Sequence, residues 1–204
     1  MEPTKYERYT ATVSFTKSNR RIKVRKHHPD LQLYGLGRSA AIFKINNENK
    51  IIKVFHPTFE HAAEQEKQNY EKLQGNHYYP VVYESGSNYL VMEYIEGKTF
   101  FECLATGIPL KPHYMKEVDQ GLQTAKEAGL NPSDIHLHNL IVNKDGEVRI
   151  IDVARFSQSK VCTQWDDLKR GYMRLYCRPF FPKKVPKWIM YTTAKLYRLY
   201  HKWG

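Results

Sequence analysis

The sequence predicts an α+β fold, with antiparallel strands and one helix first and then a short, mainly helical part. Three stretches predict it. Leu33 to Ile45 reads strand, glycine-rich turn, strand, with Gly35 and Gly37 at the turn. Lys50 to Phe55 is an apolar strand with one charged residue inside it, Lys53, and Phe59 to Leu73 follows as a helix. Asn131 to Phe156 sets Asp134 and Asn139 before a hairpin and Asp152 after it.

The elements follow in chain order. Thr12 to Thr16 alternates in polarity, Ser18-Asn19 suggests a turn, and Arg20 to His28 returns as a basic strand. This predicts a hairpin ahead of the sheet. Glycines at 35 and 37 let backbone N–H groups approach a phosphate with no Cβ in the way. Lys53 needs a partner, because an unpaired charge inside an apolar strand is unfavourable. The helix from Phe59 to Leu73 is rich in helix formers and carries Phe59, Ala62, Ala63, Tyr70 and Leu73 at helical spacing. Glu66, one turn before Tyr70, is the preferred partner for Lys53, with Glu64 the nearest competitor. Tyr89 to Gly97, YLVMEYIEG, reads as a buried strand ending in a turn.

In the stretch NPSDIHLHNLIVNKDGEVRIIDVARF, Leu140 to Val142 and Val148 to Ile151 are apolar, and Asn143-Lys144-Asp145-Gly146 is a hairpin turn. A hairpin of that length returns Asp152 to the end where Asn139 stands. Phosphoryl transfer from ATP needs such a set: a carboxylate to take or orient the proton of the attacking hydroxyl, and an amide oxygen and second carboxylate to hold Mg²⁺ against the phosphates.

Taken together, these motifs resemble those of eukaryotic-type protein kinases, over about residues 31–167. The group most similar in feel is the small serine/threonine-kinase-like proteins of Gram-positive bacteria with a truncated C-lobe. A fainter similarity links the chain to sugar kinases of the lipopolysaccharide-core type. The resemblance implies a kinase-like two-lobed fold, with an N-lobe over residues 1–95 and a reduced C-lobe over 96–204. It implies ATP and Mg²⁺ as cofactors. Asp134 becomes the catalytic base, Lys53 the phosphate-binding lysine paired to Glu66, and Asn139 and Asp152 the metal ligands. Gly35 and Gly37 cover the phosphates, Met92 is the gatekeeper, and the backbone of Glu93 and Ile95 holds the adenine edge.

The departures from that pattern bear on substrate. Ser133 stands where H-R-D has arginine, so control by activation-loop phosphorylation is not expected. Ala40 replaces the third loop glycine, Asp152-Val153-Ala154 replaces D-F-G, and His136 takes the slot of the lysine that follows the catalytic aspartate. No A-P-E follows, and only thirteen residues, Val153 to Trp165, separate Asp152 from Asp166. That is too short for a normal activation segment. Asp166 and Asp167 are candidates for a cap under the catalytic loop or for a helix N-cap.

Composition fits one domain of 204 residues with 41% hydrophobic content. No run approaches the ~18–20 apolar residues of a membrane span, and the first ten residues lack the apolar core of a secretory signal. Cys103, Cys162 and Cys177 are scattered, which points to reduced thiols in a cytoplasmic setting and away from zinc. The net charge of +11 sits at the two ends. The first thirty residues hold eight basic and three acidic side chains, and Lys160 to Gly204 holds eleven Lys and Arg against Asp166 and Asp167. An acidic partner or peripheral contact with an anionic surface would suit such ends. On the last helix, Trp188, Thr192, Leu196, Leu199 and Trp203 share one face. The expectation is that this face docks on the C-lobe, the alternative being a helix lying on a membrane.

Three functions compete: a serine/threonine protein kinase, a kinase of a sugar or lipid head-group hydroxyl, and a nucleotide-binding pseudokinase scaffold. The intact Lys53, Asp134, Asn139 and Asp152 favour an active enzyme, with an unidentified protein or small-molecule hydroxyl as acceptor.

Overall fold

The structure is a computed structural model that describes residues 2–18 and 21–200. Trp203 of the last predicted face lies outside the described residues.

The first lobe is built around a five-stranded antiparallel sheet. Its strands are β3 (Leu31–Leu36), β4 (Ala40–Ile45), β5 (Lys50–Phe55), β6 (Val82–Ser85) and β7 (Tyr89–Glu93), ordered β3-β4-β5-β7-β6. Side chains alternate across such a sheet, so each strand feeds two cores. Phe43, Ile45, Ile52, Val54, Tyr89 and Val91 fill the outer face. Ala40, Phe55, Leu90 and Met92 fill the inner one. The outer face is covered by α1 (Lys5–Ala11) and by the hairpin of β1 (Ser14–Ser18) and β2 (Arg21–Lys26). The basic strand therefore covers the sheet, burying Ile22 and leaving Lys23 and Arg25 outward. The sequence reading did not foresee α1. Its start is fixed by a capping box, in which Thr4 Oγ1 accepts from the Glu7 N–H and Glu7 accepts from the Thr4 N–H.

The inner face receives α2 (Glu60–Leu73), which follows a 3₁₀ turn at Pro57–Phe59. Ala63, Tyr70 and Leu73 pack on Phe55, Leu90 and the aromatic pair Tyr78 and Tyr79. This core continues without a break into the second lobe through Phe100, Tyr114, Met115, Val118 and Ile150.

The second lobe holds β8 (Gly97–Thr99), α3 (Phe100–Thr106), α4 (Pro112–Glu127), β9 (Leu140–Asn143) and β10 (Val148–Ile150), with β8, β9 and β10 in one antiparallel sheet ordered β10-β9-β8. The β9–β10 turn forms as its sequence predicts. The Asn143 Oδ1 accepts from the N–H groups of Asp145 and Glu147, and Gly146 takes a φ of +82°. Gly97 is needed for a different reason. A Cβ there would overlap the Val142 carbonyl and the Ile141 side chain, because β8 and β9 run in close contact. Gly97→Ala is expected to destabilise the protein by about 1–3 kcal/mol, measured as a lowered denaturant midpoint with unchanged slope.

The closing elements are α5 (Gln164–Gly171), a π-helical turn at Tyr172–Tyr176, and α6 (Lys187–Tyr200). They attach through polar anchors. Trp165 Nε1 and Lys169 Nζ both donate to Asp119 of α4, at 2.7 and 2.8 Å. Tyr172 Oη donates to the Leu110 carbonyl and the Leu110 N–H donates to Tyr176 Oη. Asp167 accepts from Thr163 at the start of α5 and from Tyr197 Oη of α6, and it pairs with Arg170.

The expected orientation of α6 is overturned. Trp188, Leu196 and Leu199 face solvent, with Trp188 69% exposed. The helix is held instead by Tyr197 on Asp167 and by Tyr191, whose ring lies 5.2 Å from that of Phe101. The lobe needs little cover there. Its interior is already closed by Trp165, Tyr172 and Tyr176, all packed in the main core.

Candidate active site

The alternation of β5 puts Lys53 on the inner face with Ile51 and Phe55, pointing between the lobes. Glu66 stands opposite it on α2 and is fully buried. Lys53 Nζ lies 2.7 Å from each Glu66 oxygen and 3.3 Å from Asp152 Oδ1. Glu64, the competing partner, instead accepts from Gln68 and faces outward beside Lys67.

These charges set one another's protonation. Desolvation works to lower the Lys53 pKa, but Asp152 and Glu66 outweigh it and hold the ammonium charged. Burial pushes the Glu66 carboxyl up, against the pull of Lys53. The Lys53 ammonium holds Asp152 below the usual carboxylate range. Asp152 keeps 47% of its side chain exposed, so its charged carboxylate opens toward the cleft.

Asp134 and Asn139 approach from the loop between α4 and β9. The Asn139 amide nitrogen donates to the Asp134 carbonyl at 3.2 Å, which turns its Oδ1 the other way. The Asn139 carbonyl accepts from the Ile151 N–H, so Asp152 is one residue from a direct tie to Asn139. Asp134 and Asp152 both adopt left-handed backbone, with φ of 61° and 62°. Aspartate enters that region more readily than most residues, and where the surroundings over-determine it such positions cluster at functional sites. At Asp152 the surroundings are visible: its N–H donates to Tyr70 Oη, and Asn69 of α2 donates to the Val153 carbonyl. Val153, in the slot of the D-F-G phenylalanine, is fully buried in the core.

The residues expected from the sequence to face a nucleotide are arranged as follows. Gly35 lies at a register shift in β3, and the Gly37 N–H donates to the Ala40 carbonyl, closing the β3–β4 turn tightly. Met92 is buried on the inner face. The Glu93 N–H is taken by the Val81 carbonyl, and its carboxylate makes a two-pronged ion pair with Arg149 at 2.6 and 3.1 Å. The Ile95 N–H makes no hydrogen bond within the described residues.

Asn69, Arg155 and the clamping role of Asn131 escaped the sequence reading, and Tyr70 was read only as a packing residue. Asn69 and Tyr70 lie three and four residues beyond Glu66, on the same helix face, and that spacing could have found them. Arg155 Nε lies 3.4 Å from Asp134 Oδ2. No sequence pattern announces that contact, since it depends on how the chain turns after Asp152. Ser133, in the arginine slot, is fully buried and donates to the Asn131 carbonyl. Asn131 in turn pins the segment after Asp152, donating from its side chain to the carbonyls of Gln158 and Lys160.

A buried Lys–Glu pair reaching an aspartate after a hairpin, with a second aspartate and an asparagine beside it, is a phosphoryl-transfer constellation. The family comparison agrees: residues 43–173 match the model of the RIO domain. The chain belongs to the RIO domain family. RIO proteins are atypical protein kinases, so kinase-like phosphotransferase membership is established. This RIO chain is 46% identical over 197 residues to "Putative serine/threonine-protein kinase YrzF" of Bacillus subtilis (strain 168), covering 96% of the chain and 92% of that relative. It is 37% identical over 79 residues to serine/threonine-protein kinase PknL of Mycobacterium tuberculosis, spanning 35% of the chain and only 20% of PknL. Among solved structures, WbdD superposes with a TM-score of 0.55 at 19% identity, over 76% of this chain and 39% of WbdD. That likeness establishes the kinase-like two-lobed fold. No helix among the described residues is long and apolar enough to cross a membrane.

Proposed function

We propose that this RIO-domain protein is an ATP- and Mg²⁺-dependent kinase that transfers the γ-phosphate to a serine or threonine hydroxyl. The observation that carries the reading is Lys53 held between Glu66 and Asp152, with Asn139 and Asp134 across the same cleft. Lys53 binds the phosphates of ATP, and the Ile95 N–H and the Glu93 carbonyl receive the adenine edge. Gly35 and Gly37 let the turn lie close over the phosphates. Mg²⁺ fits the donor set: it binds through one or two carboxylates plus phosphate oxygens and keeps several waters. Asp152 and the outward-turned Asn139 Oδ1 would hold it, and among the described residues no cluster of three or more His, Cys, Asp or Glu forms an all-protein cage. Bound there, Mg²⁺ would neutralise charge on the transferring phosphoryl group. Asp134 takes the proton of the acceptor hydroxyl as its oxygen bonds the phosphorus and the bond to ADP breaks. We place the boundary between the lobes near residue 95 and the protein in the cytoplasm, where three free cysteines are at home.

A second reading has its own support. Only Val153 to Thr163 lie between Asp152 and α5, and Asn131 holds that segment down. A peptide-positioning loop has little room there, which suits a small hydroxyl acceptor such as a sugar or lipid head group.

The test is a melting curve with ATP and Mg²⁺. Ligand at about a hundred times its dissociation constant is expected to add about 2.7 kcal/mol of stability. Asp152→Asn should remove the metal-dependent part of the shift. No shift with any nucleoside triphosphate and metal would overturn the reading.

A further inference from the structure

The C-terminal helix presents an exposed surface that the cleft does not use. At 3.6 residues per turn, Trp188, Ile189, Thr192, Leu196 and Leu199 of α6 form one stripe. Met190 and Tyr197, both partly buried, lie on the opposite side, where Tyr197 holds the helix to Asp167. The apolar stripe therefore points away from the protein, with Leu196 61% and Leu199 46% exposed. Lys187, Lys195 and Arg198 run along one flank of that stripe. Beyond Asp167 the sequence contains ten Lys and Arg and no acidic residue at all.

We propose that this outward face of α6 docks on an anionic lipid bilayer. An interfacial helix sinks Trp, Leu and Ile into the boundary between head groups and acyl chains while basic side chains meet the lipid phosphates. Both requirements are met on adjacent strips of the same 14-residue helix. The charge selects the occupant. A second copy of this face would bring two strongly basic surfaces together, and nucleic acid would engage the lysines and arginines but leave the apolar stripe wet. A lipid surface uses both. The placement also bears on the cleft. Tyr191, beside the basic flank, meets Phe101, and Phe101 stacks at 4.0 Å on His138 of the loop that carries Asp134 and Asn139. Docking would hold the catalytic loop at a fixed position relative to the bilayer.

The experiment is co-sedimentation of the full chain with vesicles of phosphatidylcholine, alone or with about 30% phosphatidylglycerol, where binding to the anionic set is expected to be at least tenfold stronger and to weaken with salt. Replacing Trp188, Leu196 and Leu199 together by Gln should reduce that binding by about tenfold or more while leaving the melting temperature in place, since these side chains face solvent. Replacing Lys187, Lys195 and Arg198 by Gln should reduce it too and flatten its salt dependence. A readout independent of multiple substitution is quenching of tryptophan fluorescence by spin-labelled lipids, strong in the wild type and diminished in Trp188→Phe. Equal binding to neutral and anionic vesicles would overturn the proposal. So would unchanged vesicle binding by the apolar variant, a dimer in sedimentation velocity that the same variant dissociates, or binding to duplex DNA with none to vesicles.

Discussion

Asp134→Asn is expected to lower phosphoryl transfer by about 10²–10⁴-fold, the usual contribution of a positioned general base, while nucleotide binding persists. The substitution keeps the shape of the side chain and removes only its basicity. Asp134 makes its tie to Asn139 through its backbone carbonyl, which the substitution leaves untouched. The proposed metal-binding residues and the Lys53–Glu66 pair are likewise unaltered. Among the described residues its carboxylate pairs with Arg155, and both partners are partly exposed, so stability should change little. The measurement is ATP turnover or autophosphorylation beside a nucleotide-dependent melting curve. A variant that binds ATP but no longer turns it over supports Asp134 as base. Equal turnover in variant and wild type would move the protein to the scaffold reading.

The second large effect is on stability. Glu66→Ala should destabilise the fold by about 3–5 kcal/mol, because it strands a buried ammonium. That is a large share of the ~5–15 kcal/mol that holds a typical domain. Asp152 remains as a partner for Lys53, but at a longer 3.3 Å and on the open side. The reverse substitution, Lys53→Ala, leaves the fully buried Glu66 without its counter-charge. Burial already pushes that carboxyl up, and nothing then opposes it. A carboxyl with a raised folded pKa leaves the fold unpenalised below its unfolded pKa of about 4.3 and draws stability away as pH rises beyond it. Lys53→Ala should therefore lose stability from acid toward neutral pH, a trend absent from Lys53→Met/Glu66→Met, where both charges are gone. Chemical denaturation at a series of pH values reads this directly. Parallel pH profiles for the single and double variants would show that Glu66 is not buried as described.

Much of this site was legible in the sequence because its chemistry is carried by residues at fixed local spacing. Asp134 and Asn139 sit in one loop, and a four-residue Asn-Lys-Asp-Gly turn returns Asp152 to them. Lys53 stood out because a charge inside an apolar strand demands a partner. The choice of Glu66 over Glu64 was half legible, since helical spacing put Glu66 with Tyr70 on the inner face. Arg155, the left-handed backbone at Asp134 and Asp152, and the Asn131 clamp were not legible, because each depends on where separate segments meet.

The C-terminal helix marks the same limit from the other side. Its periodicity fixed a helix with an apolar stripe, and the sequence by itself determined that the stripe exists and that basic residues flank it. Whether the stripe faces inward is not a property of the helix. It depends on whether the lobe still has apolar surface to cover, and Trp165, Tyr172 and Tyr176 had already covered it. Tyr197 and Asp167 then fixed the rotation of α6 and turned Trp188 and Leu196 to solvent. Local pattern determined most of the elements, the spacing of the candidate site residues and the charge. Tertiary packing alone decided which faces meet, because burial is a competition among all apolar surfaces for a limited interior.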